Sequence, residues 1–372
     1  MSELPLRVDP TAPIPLATQL SQQLTWLIAS KQLDDGDELP PIRGLAAQLD
    51  INLHTVRAAY RQLSADGLVS MRSGRRATVR RYDRSRAARS DLPSFSIGAI
   101  LPGFAPFYAP LLRGIEAAAA ESPAMVFICN AHEDPAVAAT YVDQLMAKQV
   151  DGIIVVGTLL EADPALGESE RPAMVSVDAP GASGSSVGFD LEGSQYAATR
   201  HLIDHGHERI GYVSAPVELP NVAPKLLGYQ AALAAADLSL DPDLVVAVPD
   251  FQIRSGEYGA HQLLGRPNPP HAIATASDEL AMGAFHAISS RGLRVPEDIA
   301  LVGNDDIEMA AVIRPALTTV ALPVEVAGRR AVAMLQELIT GNQPDPSQVV
   351  LDVELVVRQS CGCPGGNDIP LP

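Results

Sequence analysis

Seven arginines fall between His54 and Arg81, in "HTVRAAYRQLSADGLVSMRSGRRATVRR", against one acid, Asp66. They are Arg57, Arg61, Arg72, Arg75, Arg76, Arg80 and Arg81. A guanidinium is a planar fork of donors that fits phosphate oxygens and the guanine edge two bonds at a time. The chain as a whole carries a formal charge of −17, so this corner opposes the rest of the molecule. Residues 1–92 hold thirteen Lys/Arg against ten Asp/Glu, whereas residues 93–372 hold fourteen against thirty-four. An acidic body repels phosphate and a local basic patch attracts it, so nucleic acid is the partner expected for the N-terminal part.

A second set of chemically able residues stands beside apolar, strand-like runs. Phe107 and Tyr108 follow "FSIGAILP", and Asp178 follows "MVSV". Phe251 follows "VVAVPD", Asp278 follows "AIATAS", and Asp305 follows "ALVGN". Lys225, one of only three lysines, precedes "LLGY". Carboxylates with one cation and aromatic faces suit a polyhydroxylated ligand, whose hydroxyls both donate and accept. Other motifs draw a different reading. "HLIDHGH" sets His201 and His205 at i and i+4 with His207 close by, a spacing that can hold a metal. Gly206, however, reads as a helix C-cap, and histidine is favourable at a helix end. "CGC" at Cys361 and Cys363 has no second cysteine pair, and Cys129 sits in an apolar run, so a packed tail is expected. No metal site and no cofactor are expected, and no phosphate-binding loop, dinucleotide fingerprint or nucleophile elbow occurs.

The elements that must position these groups come from periodicity. Leu16, Leu20, Leu24 and Ile28 repeat at i+4 on one helix. "DDGDELPP" breaks it, and Ile42, Leu45, Ala46 and Leu49 make a short second helix. Val56, Ala59, Tyr60 and Leu63 form the inner face of a third, beginning near Asn52 and ended by Gly67. "LVSMRSGRRATV" then reads as a hairpin turning at Ser73-Gly74. Three helices and a hairpin make a winged helix-turn-helix, whose third helix would enter the major groove. Its outer face offers Asn52, His54, Thr55, Arg57 and Arg61, with Ser73, Gly74, Arg75 and Arg76 on the wing. Residues 81–94 are polar, basic and aperiodic, and read as a linker. From residue 95 to 363, strand-like and helix-like segments alternate, with a restart near Glu208. That pattern predicts two α/β subdomains with parallel sheets and a cleft between them, ligands binding beyond the strand ends. The expected fold is therefore multidomain: an α+β winged helix-turn-helix over residues 1–80, then an α/β body of two subdomains.

Two stretches carry a family resemblance. "GDELPPIRGLA", "HTVRAAYRQL", "DGLV" and "RSGRRATV" resemble the GntR-type DNA-binding head. By that resemblance Arg43 would reach DNA from the second helix, Thr55 and Arg57 from the third, and Gly74 would let the wing backbone approach the minor groove. The family usually opens its third helix with Ser-Arg, where this chain has Asn52-Leu53. The body is similar to the effector-binding domain of LacI-family repressors, itself like type I periplasmic binding proteins. "VDGIIVVG", "HLIDHGHERIGYVSAP", "GLRVPEDIALVGNDD" and "LVVRQSCG" carry that likeness. The family usually has arginine where Lys225 stands. The pairing of such a head and body also occurs in AraR-type arabinose repressors. The resemblance implies a transcription regulator that binds operator DNA as a homodimer and answers to a small-molecule effector, a sugar.

Composition bounds the rest. At 372 residues and 47% hydrophobic, the chain holds more than one core. Three cysteines make no disulfide framework. The opening residues lack a basic start with an apolar run, and no uninterrupted apolar run spans a bilayer, which predicts a cytoplasmic protein with no membrane partner. An alternative is a GntR-headed, pyridoxal-phosphate enzyme-like regulator, but Lys148 lies in a helix and Lys225 has no phosphate-binding loop beside it. A transport binding protein would have no use for the basic head.

Overall fold

The computed structural model describes residues 4–10, 15–29, 32–71, 75–80, 95–121, 124–157, 172–179 and 184–363. Ser73, Gly74 and the linker at 81–94 lie outside the described residues. The chain divides into two compact units: residues 1–97 with 118–127 and 339–342, and the remainder.

In the N-terminal unit, α1 (Leu16–Ala29), α2 (Ile42–Gln48) and α3 (Leu53–Ala65) precede a two-strand antiparallel ribbon of β1 (Val69–Ser70) and β2 (Thr78–Val79). Leu20, Leu24, Ile28, Leu45, Val56, Ala59, Tyr60 and Leu63 are all buried in one cluster, as the i+4 spacing requires. Asn52 caps α3, its side chain accepting from the His54 amide at 2.8 Å. Gly67 closes the helix with φ +76°, a conformation that a Cβ would strain. The Tyr60 hydroxyl donates to the Pro40 carbonyl at 2.8 Å and ties α3 to the turn before α2. Leu39 N–H donates to Ala77 O, so that turn is also fastened to the ribbon.

Among the described residues, the body contains two large sheets and one two-stranded antiparallel pair. The first has six strands: β3 (Phe95–Leu101), β4 (Ala124–Asn130), β5 (Gly152–Val156), β6 (Ala173–Val177), β7 (Ser186–Phe189) and β13 (Gln348–Leu351), in the order β13-β7-β6-β5-β3-β4. The second comprises β8 (Ile210–Ser214), β9 (Val245–Ala247), β10 (Ala272–Thr275) and β11 (Ala300–Val302), in the order β11-β10-β8-β9, every pair parallel. Strands β5, β8, β10 and β11 are buried along their whole length, which is why they read as unbroken apolar runs and not as alternation. Helices α4 (Tyr108–Ala120) and α5 (Pro135–Ala147) belong to the first half. Helices α6 (Leu191–Asp204), α7 (Ala223–Ala234), α8 (Ile253–Leu264) and α9 (Asp278–Ser290) surround the second.

Two features depart from the sequence reading. The second subdomain starts at α6, before Glu208, because Ala198 and Leu202 of that helix are buried in its core. The chain also returns: after a short α10 (Glu308–Val312) it runs through β12 (Thr319–Ala321) into α11 (Val324–Ile339) and β13, then back through β14 (Glu354–Val356). β12 and β14 pair antiparallel as the two crossing segments. Among the described residues, no helix is long and apolar enough to cross a membrane.

Tight helix contacts use glycine. A Cβ on Gly228 of α7 would strike the Glu192 carbonyl and lie 2.8 Å from the Tyr196 nitrogen, both on α6. Gly228→Ala should therefore destabilise the body by about 1–3 kcal/mol, as overpacking generally does. A urea titration of the full chain followed by tyrosine fluorescence and far-UV dichroism reads this as a lower midpoint.

Candidate functional site

The loops beyond the parallel strands bring a charged cluster together. Lys225 sits in the first turn of α7 and is buried. Its Nζ donates to the Ala276 carbonyl at 2.7 Å and lies 3.5 Å from Asp305 Oδ1. Asp305 follows β11, and its N–H donates to Val320 O of the crossing strand. Asp178 follows β6, is buried, and has φ +53°; Asp305 has φ +132°. Two acids at left-handed backbone positions, each just past a strand, mark positions where the surrounding structure dictates the conformation.

Electrostatics bind these groups into one site. Burial pushes the Asp178 carboxyl up to about 6, against the opposing pull of Lys225 and a hydrogen bond from Asn221. Burial pushes Asp305 up to about 8; Lys225 opposes this, while Asp278 and Asp178 add to it. The Tyr108 phenol is raised well above its ordinary range by burial and then by Asp178, Asp305, Glu133 and Glu279 around it. Phe107 packs edge-on against Tyr108 at 5.2 Å and against Phe189 at 6.5 Å. The buried Oδ1 of Asp178 has no hydrogen-bond partner, a costly state that an incoming hydroxyl would relieve.

Asp278 takes a different place. It is fully buried, and both its oxygens are engaged: Oδ2 accepts from the Ile307 amide at 2.9 Å and Oδ1 from the Thr319 hydroxyl at 2.6 Å. It thus latches the start of α9 to the loop after β11 and to the crossing strand. Burial raises its carboxyl to about 6, those two hydrogen bonds opposing. Next to it, Asp306 pairs with the buried Arg358 at 2.6 Å, fastening the same loop from the other side. Phe251 is half-buried and packs on the hydrophobic core of the second subdomain. Asn221 was not singled out from sequence, although it stands four residues before Lys225. Asn304 was likewise passed over; it donates to Ser194 Oγ on α6 at 3.1 Å.

On the N-terminal unit, Arg43, Asn52, His54, Arg57, Arg61, Arg75 and Arg76 are exposed, and Thr55 is half-buried. His54, Arg57 and Arg61 recur at helical spacing on the outer face of α3, opposite its buried residues. The Asn52 oxygen is engaged as the helix cap. Arg76 pairs with Glu38 at 3.0 Å across the ribbon, an exposed bridge that a phosphate can displace cheaply.

The raised acids have a consequence for stability. An unfolded aspartate titrates near about 4. Between that pH and about 8 the folded chain keeps a proton on Asp305 that the unfolded chain has lost. Stability attributable to this group is thus complete below the unfolded value and falls as pH rises through that window. Asp305→Asn should flatten the decline in melting temperature across a pH series. Parallel profiles for the two proteins would show that Asp305 is ionised throughout.

Comparison with known proteins places both units. Residues 16–79 match the family described as bacterial regulatory proteins, gntR family, and residues 199–361 match the periplasmic binding protein-like domain. The HTH-type transcriptional repressor CytR of Escherichia coli is 33% identical over 258 residues, 68% of this chain and 75% of that protein. The ribose operon repressor of Escherichia coli is 33% identical over 264 residues, 68% of this chain and 77% of that protein. Among solved structures, the complex of the transcriptional regulator CelR with cellobiose superposes with a TM-score of 0.65 at 27% identity, covering 87% of this chain and all of that one. The chain therefore belongs to the LacI-type family of transcriptional regulators and carries a GntR-type helix-turn-helix as its DNA-binding head.

Proposed function

We propose that this regulator is a repressor, that a sugar or similarly polyhydroxylated molecule binds between the two subdomains of its body, and that it grips operator DNA as a homodimer. The observation that carries the effector reading is the buried Lys225–Asp305–Asp178 cluster with its unpartnered carboxylate oxygen. Carboxylates held near the middle of the pH range both donate and accept, and a polyol presents both kinds of group. Lys225 serves as a point donor, Asp178 as an acceptor, the protonated Asp305 as donor and acceptor, and Phe107 and Tyr108 as an aromatic flank. Asp278 positions the loop that carries Asp305 and does not itself touch the ligand. Phe251 borders the site from its place on the core. The names of the relatives, one of them complexed with cellobiose, support a sugar.

In the head, His54, Thr55 and Arg57 read base edges from α3, Arg43 holds phosphate from α2, and Arg75 and Arg76 with Ser73 and Gly74 follow the wing. Asn52 shapes the start of the reading helix. Our division is a head over 1–80, a linker over 81–94 and an effector-binding, dimerising body over 95–363. Met125, Phe127 and Ile128 are exposed along the edge strand β4, an apolar edge suited to burial against a second copy. The protein works in the cytoplasm, where operator and effector meet, and no catalytic step is assigned to it.

Two variants separate the parts of this reading. Lys225→Met should abolish the rise in melting temperature that the effector, found by screening pentoses, hexoses, disaccharides and nucleosides, produces in the parent protein. It should leave operator affinity unchanged, measured by fluorescence anisotropy. Arg57→Ala should weaken operator binding by about 1–3 kcal/mol and leave the effector shift intact. An effector shift that persists in Lys225→Met contradicts the assigned cleft; undiminished operator binding in Arg57→Ala contradicts the assigned reading face.

A further inference from the structure

Two motifs that look unrelated in sequence meet in the fold. His201 lies in the last turn of α6 and His205 caps that helix, their rings 4.5 Å apart. The Cys361-Gly362-Cys363 turn follows β14, 158 residues beyond His205. Ser360 fixes its position: the Ser360 hydroxyl donates to Leu301 O at 2.6 Å and accepts from the Thr318 amide at 2.8 Å. That anchor buries Cys361 in the core of the second subdomain and brings Cys363 to the end of α6. Cys363 Sγ lies 3.1 Å from His201 Nε2, 2.7 Å from His205 Nε2 and 3.0 Å from Cys361 Sγ.

The surroundings are those of ligands already oriented. His205 Nδ1 lies 3.0 Å from the His201 carbonyl, so it carries the proton and leaves the Nε2 lone pair facing the sulfur. The Thr318 hydroxyl donates to Cys361 Sγ at 3.1 Å.

We propose that His201, His205, Cys361 and Cys363 together bind one zinc-like divalent cation in a closed site of two nitrogens and two sulfurs. Two thiolates and two imidazoles select a borderline-soft metal and disfavour magnesium or calcium. Four protein ligands leave no open position, so the site is structural and not catalytic. On binding, the cation displaces the thiol protons to solvent, and each sulfur forms a metal bond in their place. Tetrahedral geometry with bonds of about 2.0–2.3 Å sets donors about 3.3–3.8 Å apart. The donors of His201, His205 and Cys363 lie within 4.8 Å of one another, and Cys361, 3.0 Å from Cys363, completes the set. The cation would pin the C-terminal turn to α6. The opposite end of that helix carries Ser194, which is bonded to Asn304 beside Asp305.

The test uses the full chain without a polyhistidine tag, reduced and stripped with chelator, then titrated with cobalt(II). The expected result is the strong visible spectrum of tetrahedral cobalt with a thiolate charge-transfer band, saturating at one equivalent per chain and displaced by zinc. Zinc should also raise the melting temperature by mass action. His205→Gln and Cys363→Ser, both at the edge of the cluster, should weaken cobalt binding by at least about tenfold while near-UV dichroism stays native. A weak octahedral spectrum with all three thiols free overturns the proposal. So does a spectrum unchanged in both variants. A purified chain with a single free thiol and a mass lower by two hydrogens, restored by reductant, overturns it in favour of a disulfide between Cys361 and Cys363.

Discussion

The body is organised around one buried ammonium. Lys225 lies in the interior, its Nζ donating to the Ala276 carbonyl and paired with Asp305 at 3.5 Å, and an unpaired charge at such a place would cost far more than a side-chain contact returns. Two buried aspartates, Asp178 and Asp278, and the half-buried Asp305 lie in the same region, so the cluster is over-supplied with acid when all are ionised. Their raised proton affinities express that excess. Much of the surrounding architecture serves to hold the conflict in place. Gly228 lets α7 approach α6 closely, the crossing strand grips Asp305 through Val320, and Asp278 bolts the loop to α9. A cluster of this kind is poorly satisfied when empty and well satisfied by a ligand rich in hydroxyls, which is how a binding protein gains affinity from strain it already carries.

The chain also separates its charge. Arginine gathers on one face of a small helical unit while the α/β body is strongly acidic. Acid on the body discourages non-specific wrapping of DNA, and the head alone supplies the attraction. Binding carried by arginine–phosphate contacts is sensitive to salt. In the proposed reading, sequence preference rests on a few groups along α3, whose start is capped by Asn52.

Periodicity made the head readable in detail, because its helices are amphipathic and its core is local: Leu20, Leu24, Val56, Ala59, Tyr60 and Leu63 are all inside. Strand-end position likewise pointed to Asp178, Lys225 and Asp305, since parallel strands deliver their following loops to one edge. It pointed equally to Asp278, whose two oxygens both accept hydrogen bonds from neighbouring segments. Whether a strand-end acid faces a ligand or a neighbour depends on what crosses above it, here Thr319 and Ile307 from distant parts of the chain. The return of β13 to the first sheet, the hydrogen bond from Asn221 to Asp178, and the meeting of His205 with Cys363 are long-range in the same way. Local pattern carries no information about them. Alone, the histidine motif reads as a helix end and the cysteine pair as a packed tail.

In the proposed function, occupancy of the cleft and occupancy of the DNA-binding face are energetically linked. The most direct measurement is a calorimetric titration of the effector sugar into the protein, with and without saturating operator duplex. Linkage requires that operator change the sugar's dissociation constant by the same factor by which sugar changes the operator's. Sugar should bind more weakly on DNA, by about five- to 150-fold for couplings of the usual size. Identical affinities in the two titrations would contradict it.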